Sequence, residues 1–414
     1  MILNNKSKVG QVFLVFFIFL FLQTALWPCT TAVVSGKATP DGRPLLWKNR
    51  DTTHLINKIL YIQGPKYAFL GNFNAEDKNL EEVWAGLNTK GFAIINASST
   101  DLMENEEQET QNGAFMRQAL GECADIPEFE QLLEKTKGTR NVAAIFGVID
   151  ALGNACFYET GNSIYAKFDA NDPRVAPQGF IVRTNFAFTA PEDKEGGGFI
   201  RFERAQRLLQ AAAAEGRLDG RFILQDVARD LVNEKIGSNP LTDKKTADPK
   251  FPLYINTNDT INRNSTVSSF LFHGAPSPEK DYLATMWVML GQPICTVSVP
   301  LWASSGEAPE ALGGEEQPEL NELALNIARY LYPDQRGHMH QYLNITRFME
   351  YGDQSIQAQL SKIESNLFMS VFNRLKQWDN KKPDQKEIAA FQNNTAAFVT
   401  RSLTRAVMNL MPDK

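Results

Sequence analysis

Cys29 is the residue in this chain whose position most directly suggests chemistry. Lys6 and Lys8 come before an apolar run from Val12 to Leu22, and this run precedes Cys29 in the order of a secretory signal. Removing everything before Cys29 would leave a thiol and a free α-amine on one residue. Because a free α-amine has a pKa of about 7.7–8.0, it can accept the thiol's proton near neutral pH. Cys29 is therefore predicted to be a nucleophile that carries its own base.

The residues just before Cys29 leave the processing step open. Trp27 and Pro28 differ from the small residues that usually end a signal peptide, and Pro28 also does not fit a lipid-modified cysteine. Cleavage after Ala25, followed by self-removal of the last three residues, is a second route. The apolar run is shorter than the ~20 residues that a membrane-spanning helix needs. We therefore predict a removable signal or prosegment over 1–28 and export to the periplasm or the extracellular space.

The composition narrows the class of protein. The chain has 414 residues, of which 43% are hydrophobic and 22% charged, with a formal net charge of −6. These values predict a folded, soluble protein of one large or two ordinary domains, and the mild acidity argues against nucleic-acid binding. Four cysteines are too few for a disulfide scaffold. If Cys29 is the nucleophile, one of the other three must stay unpaired, and a single bridge between the remaining two stays open.

Apolar stretches after Cys29 are interrupted by turn residues in a pattern typical of β-hairpins. The first pair, 30–35 and 44–47, flanks a turn that contains Pro40 and Gly42. Similar pairs are predicted within 83–97 and 141–158. The sequence thus predicts several antiparallel hairpins, the first of which begins at the proposed nucleophile.

Other stretches have the 3.6-residue periodicity of amphipathic helices. They lie at 118–136, 202–214, 319–332 and 355–378. The last carries one apolar stripe, made of Ile356, Leu360, Ile363, Leu367, Val371 and Leu375. Hairpins interleaved with helices predict an α+β layered fold rather than a parallel doubly wound sheet. We expect the C-terminal helices to pack on the core, and contact within a homo-oligomer stays open as the alternative.

Several short motifs occur in an order that resembles one enzyme family. They are Cys29-Thr30-Thr31-Ala32, Asp41-Gly42, the stretch from Leu46 to Asp51, the stretch from Gly86 to Ala93, and the stretch from Val182 to Phe186. This order resembles the N-terminal nucleophile hydrolases of the choloylglycine hydrolase, penicillin V acylase and isopenicillin-N acyltransferase-like group. The resemblance implies cleavage, or acyl transfer, of a linear amide C–N bond through a thioester on Cys29.

The same resemblance implies a four-layer αββα sandwich over 29–303 and a small-molecule amide substrate with an apolar acyl group. Beyond it, the stretch 304–318, rich in Gly, Glu and Pro, predicts a connector, and helical spacing predicts a helical C-terminal extension at 319–414. Because the segment before Cys29 is predicted to be removed, we expect no stable membrane association after processing. Bile-salt hydrolase, penicillin acylase, N-acyl amino-acid hydrolase and acyltransferase activities share this machinery, and the sequence does not choose among them.

The resemblance also implies roles for polar residues near Cys29. Asn96 is the candidate oxyanion donor, and a chain-turning Asn is its alternative. Asn185 matches the family's second active-site Asn, with a buried structural Asn as the alternative. Asp51 is the candidate to hold the α-amine. Lys48 stands where the family has Arg, and because Lys lacks the bidentate guanidinium fork, that contact could pass to the nearby Arg50.

Two more sets of residues complete the candidates. Arg204 resembles the family's arginine that supports the catalytic group, with an exposed helix arginine as the alternative. The four histidines (His54, His273, His338 and His340) have no Cys-protease context, and the closely spaced last two have no third ligand beside them. No phosphate-binding glycine loop or dinucleotide motif occurs. We therefore expect neither a metal nor a cofactor.

A non-catalytic alternative remains beside the enzyme hypothesis. In it, an uncleaved segment before Cys29, or a lipid on Cys29, tethers the chain to the cell envelope while the fold is retained without activity. The chemical state of the mature N-terminus distinguishes the two hypotheses.

Overall fold

A computed structural model describes residues 29–104, 110–192, 195–237, 239–242, 250–314, 317–350 and 352–410. The predicted signal or prosegment at 1–28 lies outside these residues. None of the helices in the described ranges combines the length and the apolar character needed to cross a bilayer.

Two antiparallel sheets form the centre of the fold. Sheet A has the order β10-β1-β2-β12-β13-β14 and sheet B the order β3-β4-β5-β6-β7-β8-β9, while β11 and β15 form a separate small pair. The strands are β1 Thr30–Val34, β2 Leu45–Asp51, β3 Asn57–Ile62, β4 Phe69–Asn74, β5 Ala85–Asn88, β6 Ala93–Ala97, β7 Ala144–Ile149, β8 Ala155–Thr160, β9 Tyr165–Asp169, β10 Phe180–Arg183, β11 Tyr254–Asn256, β12 Thr266–His273, β13 Thr285–Leu290, β14 Val299–Leu301 and β15 Tyr342–Asn344.

The hairpins predicted from the sequence are present. Strands β1 and β2 pair with Ala32 opposite Trp47, and the turn between them uses the left-handed Gly42 at φ 76°. Strands β5 and β6 pair across the second predicted turn, and β7 and β8 pair across the third. Each pair is short-range in sequence, so turn chemistry and alternation were enough to predict it.

The helices lie outside and around the sheets. They are α1 Asn112–Glu122, α2 Ile126–Lys135, α3 Phe199–Ala214, α4 Gly220–Phe222, α5 Glu310–Gly313, α6 Glu319–Leu331, α7 Ile345–Met349, α8 Ile356–Asn380 and α9 Gln385–Leu410, and a π-helical turn at Ile223–Val227 continues α4. The continuous periodicity predicted at 118–136 was wrong, because two helices occupy this region. Asp125 caps α2 by accepting a hydrogen bond from the Glu128 backbone N–H, and Pro127 lies in the first turn of α2.

The layers follow the predicted α-β-β-α order. On the outer face of sheet B, α1 and α2 share an apolar core in which Phe129 contacts Phe92, Phe146 and Tyr158. The inner faces of the two sheets pack together through β1 and β2 against β6 and β7, and α3 packs on β1 and β10 from the other side. The predicted α+β sandwich with a C-terminal helical region is therefore confirmed.

The C-terminal helices pack on sheet A. All six residues of the stripe predicted in 355–378 are buried in α8, and Phe368 of α8 lies 5.0 Å from the Trp287 ring of β13. Helix α9 is joined to the sheet by Gln392, whose side chain accepts a hydrogen bond from the Trp302 backbone N–H at 2.9 Å. The connector at 304–318 includes the short helix α5. The domain boundaries themselves stay a prediction.

Candidate active site

Several strand ends meet around Cys29. Cys29 directly precedes β1 and is 6% exposed. Strand β2 runs antiparallel to β1, so it ends beside the start of β1, and β10 ends there on the other side with Arg183 opposite Thr31. In the facing sheet, β6 carries Asn96 close to its own end. The antiparallel register brings the ends of β2 and β10 beside Cys29. Hydrogen bonds from Lys48 to Asn96 and from Asn185 to the Ser98 carbonyl place the end of β6 at the same end of the sandwich.

Side chains of β2 alternate between the two faces of sheet A. Lys48 and Arg50 point towards sheet B, where both make hydrogen bonds. Asn49 and Asp51 point the other way, towards the helices and the loops beyond β12. Because Thr31 pairs with Lys48, alternation along β1 places Cys29 on the face that Lys48 and Arg50 share.

Lys48 fixes the orientation of Asn96. Its Nζ donates to the Asn96 Oδ1 at 2.7 Å and to the Trp84 backbone carbonyl at 2.9 Å. An ammonium group has donors only, so it selects the oxygen of the amide and turns the Nδ2 group away. That Nδ2 has no hydrogen-bond partner among the described residues. Asn96 therefore presents an oriented donor, as an oxyanion site requires.

Burial changes the acid–base behaviour of Lys48. The side chain is almost completely buried, and this desolvation lowers the pKa of Lys48 from 10.5 to about 8, with the charges of Cys29 and Asp51 opposing the shift and that of Arg50 adding to it. Lys48 thus titrates close to neutral pH, which an arginine at this position would not do.

Arg50 is a second buried cation on the same face. Its guanidinium donates to Asn57 and, at 2.7 Å, to Asn74, so it joins β2 to the strands β3 and β4 of the facing sheet. It also lies 5.1 Å from the centre of the Trp84 ring. Burial lowers the pKa of Arg50 to about 10, and the charge of Cys29 opposes this shift. Arg50 therefore remains positive at neutral pH.

Arg201 connects Cys29 to Asn185. One guanidinium nitrogen donates to the Cys29 carbonyl at 2.8 Å and to the Thr30 hydroxyl at 2.7 Å, and the other donates to the Asn185 Oδ1 at 2.8 Å. Asn185 in turn donates from Nδ2 to the Ser98 carbonyl at 2.7 Å. Ser98 lies two residues after Asn96, so Asn185 holds both the nucleophile segment and the segment after β6.

A glycine makes room for this arginine. Gly198, the residue before α3, has a left-handed φ of 85°, and a Cβ there would lie 2.4 Å from the Arg201 Nη2. The neighbouring Gly197 has open space at the same position. The glycine run that precedes α3 thus has one member that Arg201 requires.

Asp51 has partners other than the one predicted for it. Its carboxylate accepts from the Thr266 hydroxyl at 2.7 Å and from Arg263 at 3.2 Å. Burial raises the pKa of Asp51, while the charges of Arg263 and Arg201 oppose that rise. Holding the α-amine stays a prediction for Asp51, but in this structure the carboxylate also orders the start of β12.

The structure does not bring Arg204 to Cys29. Its guanidinium pairs with Asp230 at 2.7 Å and with Glu234 at 3.1 Å. Arg201 instead faces the core on the buried stripe of α3 that includes Ala205. Helical periodicity could have identified Arg201 in the sequence, because it lies four residues before Ala205 and Arg204 does not share that stripe.

The remaining thiols and imidazoles lie elsewhere. All four cysteines fall in the described part of the chain and are free thiols. Burial raises the pKa of Cys123 and of Cys156 to about 12, which leaves these thiols protonated and unreactive. His54 contacts Glu76, and His273 lies 2.7 Å from Asp41.

The last two histidines lie on the 3₁₀ turn before β15, where no residue is buried. Among the described residues, none of the four histidines makes a hydrogen bond or ion pair with Cys29. Within the same residues, no three His, Cys, Asp or Glu side chains converge to hold a metal ion.

Comparisons with known proteins give distant structural neighbours. No family model and no curated protein sequence matches the chain. Two variants of the conjugated bile acid hydrolase from Clostridium perfringens are similar to it, one with 12% identity, coverage of 63% of this chain and 89% of the other, and a TM-score of 0.39. The second has 13% identity, coverage of 66% and 92%, and a TM-score of 0.41.

Penicillin V acylase from Agrobacterium tumefaciens is also similar, with 12% identity, coverage of 66% of this chain and 86% of the other, and a TM-score of 0.38. At this level of identity and structural agreement, these neighbours assign no reaction, substrate or site residue to this chain.

Proposed function

We propose that this chain is an exported cysteine hydrolase that loses the residues before Cys29 and then cleaves a linear, non-peptide amide through a Cys29 thioester. The observation that best supports this proposal is the environment of Cys29. Three buried cations, Lys48, Arg50 and Arg201, interact electrostatically with it, and Lys48 orients the free amide donor of Asn96. Concentrated positive charge and a preoriented donor favour the anions that form during acyl transfer.

In the first half of the proposed reaction, the Cys29 sulfur attacks the carbonyl carbon while the thiol proton passes to the α-amine of Cys29. The carbonyl oxygen becomes an oxyanion, towards which the Asn96 Nδ2 donates a hydrogen bond. The C–N bond then breaks, and the leaving amine takes the proton from the α-ammonium group. The acyl group remains on the sulfur as a thioester.

In the second half, water adds to the thioester and gives its proton to the α-amine. The C–S bond breaks, the carboxylic acid leaves, and the sulfur recovers its proton. An amine in place of water would give acyl transfer. Arg201, bonded to the Cys29 carbonyl and to Asn185, has the positioning role in both halves.

The proposal is tested first on the mature N-terminus and on the nucleophile. Intact mass and N-terminal sequencing of the exported protein should give unmodified Cys29 as the first residue. The Cys29→Ala protein should lose activity on a panel of chromogenic acyl amides while it keeps its unfolding temperature. Cys123→Ala, a change at a buried thiol in the outer core, is the matched control and should stay active. Full turnover by Cys29→Ala, or a lipid on Cys29, would exclude the mechanism and favour the tethered, non-catalytic alternative.

A second experiment tests the base. One extra residue before Cys29, in a form that cannot be trimmed, converts the amine into an amide and should cost on the order of 10²–10⁴-fold in rate. Changing His54, His273, His338 and His340 singly to Ala should cost much less. Loss of activity in one of the histidine variants, together with full activity of the extended protein, would instead indicate a Cys/His pair.

A further inference from the structure

Four phenylalanine rings form a cluster directly beside the residues that hold Cys29. Phe186 follows Asn185 in the chain, and Phe199 and Phe202 lie on either side of Arg201 in the first turn of α3. Phe188 completes the cluster, which we call the aromatic shelf. Phe188 and Phe199 are 48% and 52% exposed. Large apolar side chains exposed together at one place are uncommon on a protein surface without a binding role.

The rings of the aromatic shelf are packed in specific geometries. Phe186 stacks on Phe199 with ring centres 4.5 Å apart and meets Phe202 edge-on at 5.1 Å. Phe188 meets Phe202 edge-on at 6.0 Å. These are the offset and edge-to-face arrangements that aromatic rings prefer. The cluster therefore has defined ring faces towards solvent rather than a loose apolar surface.

A buried ion pair fixes the shelf from below. The Arg183 guanidinium lies 3.4 Å from the centre of the Phe188 ring, and Arg183 pairs with Glu159 at 3.3 Å, both side chains being inaccessible to solvent. Glu159 also accepts hydrogen bonds from the backbone N–H groups of Phe188 at 2.7 Å and Thr189 at 3.0 Å. The loop after Asn185 is thus held in one conformation, and its ring face is preorganised.

From this geometry we propose that the aromatic shelf binds the acyl part of the substrate and selects an aryl-acyl group, such as phenylacetyl, over an alkyl chain of equal carbon number. This inference rests on the proposed function. Continuity with the site supports this inference. Asn185 and Arg201 adjoin the shelf in sequence and are hydrogen-bonded to each other, and Arg201 also donates a hydrogen bond to the Cys29 carbonyl. An aryl ring bound here would add stacked or edge-on contacts to the existing rings. Such contacts contribute binding free energy beyond that of the buried apolar area.

The test compares three amides of one chromogenic amine: phenylacetyl, octanoyl and acetyl. We expect kcat/KM to be highest for phenylacetyl and lowest for acetyl. Phe188→Ala and Phe199→Ala should each lower the phenylacetyl-to-acetyl ratio by about tenfold. Phe188→Leu keeps most of the apolar area but removes the ring. It should therefore spare octanoyl turnover and lower phenylacetyl turnover by about two- to tenfold.

A matched control and a binding measurement make the result decisive. Phe372→Ala removes another partly exposed ring, stacked on Phe368 in α8, and should leave the ratio unchanged. Unfolding temperatures identify any variant that fails to fold. Calorimetric titration of the Cys29→Ala protein with phenylacetate, octanoate and acetate should show tightest binding of phenylacetate, weakened by adding Phe199→Ala.

The outcomes separate this inference from the proposed function. Equal ratios in the wild type and the Phe188 and Phe199 variants, or equal preference for octanoyl and phenylacetyl, would overturn the aromatic shelf as a selective site while leaving amide hydrolysis intact. Failure of the wild type to cleave any of the amides would contradict the proposed function. In that case the titration still decides whether the shelf binds aryl acids, and equal or absent binding would overturn it.

Discussion

Replacing Lys48 by Met should separate activity from stability. Lys48→Met keeps the length and apolar stem of the side chain but removes the charge and two hydrogen bonds, to Asn96 and to the Trp84 carbonyl. Without the ammonium group, the Asn96 amide can rotate and is no longer held as a donor. Loss of one oxyanion donor costs roughly 10²–10³-fold in kcat, so we expect a loss of up to this size at pH 7.

The free energy of unfolding should change little on Lys48→Met at neutral pH. The size of this change should depend on pH, with a definite sign. Burial lowers the pKa of Lys48 from 10.5 to about 8, so below pH 8 its buried charge costs about 3 kcal/mol of stability. Between pH 8 and 10.5 the unfolded chain binds more protons at this position than the folded one, so this contribution to the free energy of unfolding rises with pH. Removing the charge relieves the cost at pH 7, while the unpaired carbonyl of Trp84 offsets it by about 1–3 kcal/mol.

The assay is urea unfolding at pH 7 and pH 10 together with a pH–rate profile. At pH 7 the wild type and Lys48→Met should unfold within a few kcal/mol of each other, and at pH 10 the wild type should have gained stability relative to the variant. Wild-type activity should fall as the pH rises through about 8, and the residual activity of the variant should lack that fall. Lys58→Met is the control, because Lys58 pairs with Phe73 on the outer face of sheet B, away from Cys29.

Two results would refute this reasoning. One is full activity of Lys48→Met at pH 7, which would mean that Asn96 needs no orientation by the ammonium group. The other is an unchanged alkaline fall of activity in the variant, which would assign the titration to another group.

Further predictions follow from the neighbouring contacts. Arg201→Met should lower kcat by about 10²-fold through misplacement of Cys29. Arg204→Met should mainly lower the urea midpoint, because it leaves the half-buried Asp230 without its cation and leaves Glu234 with Arg207 alone; equal activity losses would contradict this assignment. Gly198→Ala should lower the free energy of unfolding by on the order of 1–2 kcal/mol and should reduce activity. Gly197→Ala should change neither the stability nor the activity, and unfolding curves and rate measurements will test both variants. Glu364→Leu removes a fully buried carboxylate on α8 and leaves the partly buried Arg229 without its partner. Thermal unfolding should reveal a loss of at most about 3–5 kcal/mol in the free energy of unfolding.

The sequence alone predicted the parts of the fold that local chemistry decides. The hairpin of β1 and β2 follows from a Pro-Asp-Gly turn between two apolar runs, and the pairing of its strands brings Lys48 close to Cys29. The buried stripe of α8 follows equally from 3.6-residue spacing. These features depend on residues a few positions apart, so the signal is contained in a short window of sequence.

The tertiary structure alone decided which polar groups meet around Cys29. Arg263 lies 212 positions from Asp51 in the chain, yet it is one of the partners of that carboxylate. Periodicity separates Arg201 from Arg204 on α3, but only the packing of α3 on sheet A brings Arg201 to Cys29. The orientation of the Asn96 amide is set by a lysine on the opposite sheet. The register of one sheet on the other and the place where a helix docks come from the packing of whole faces, and no short stretch of sequence specifies them.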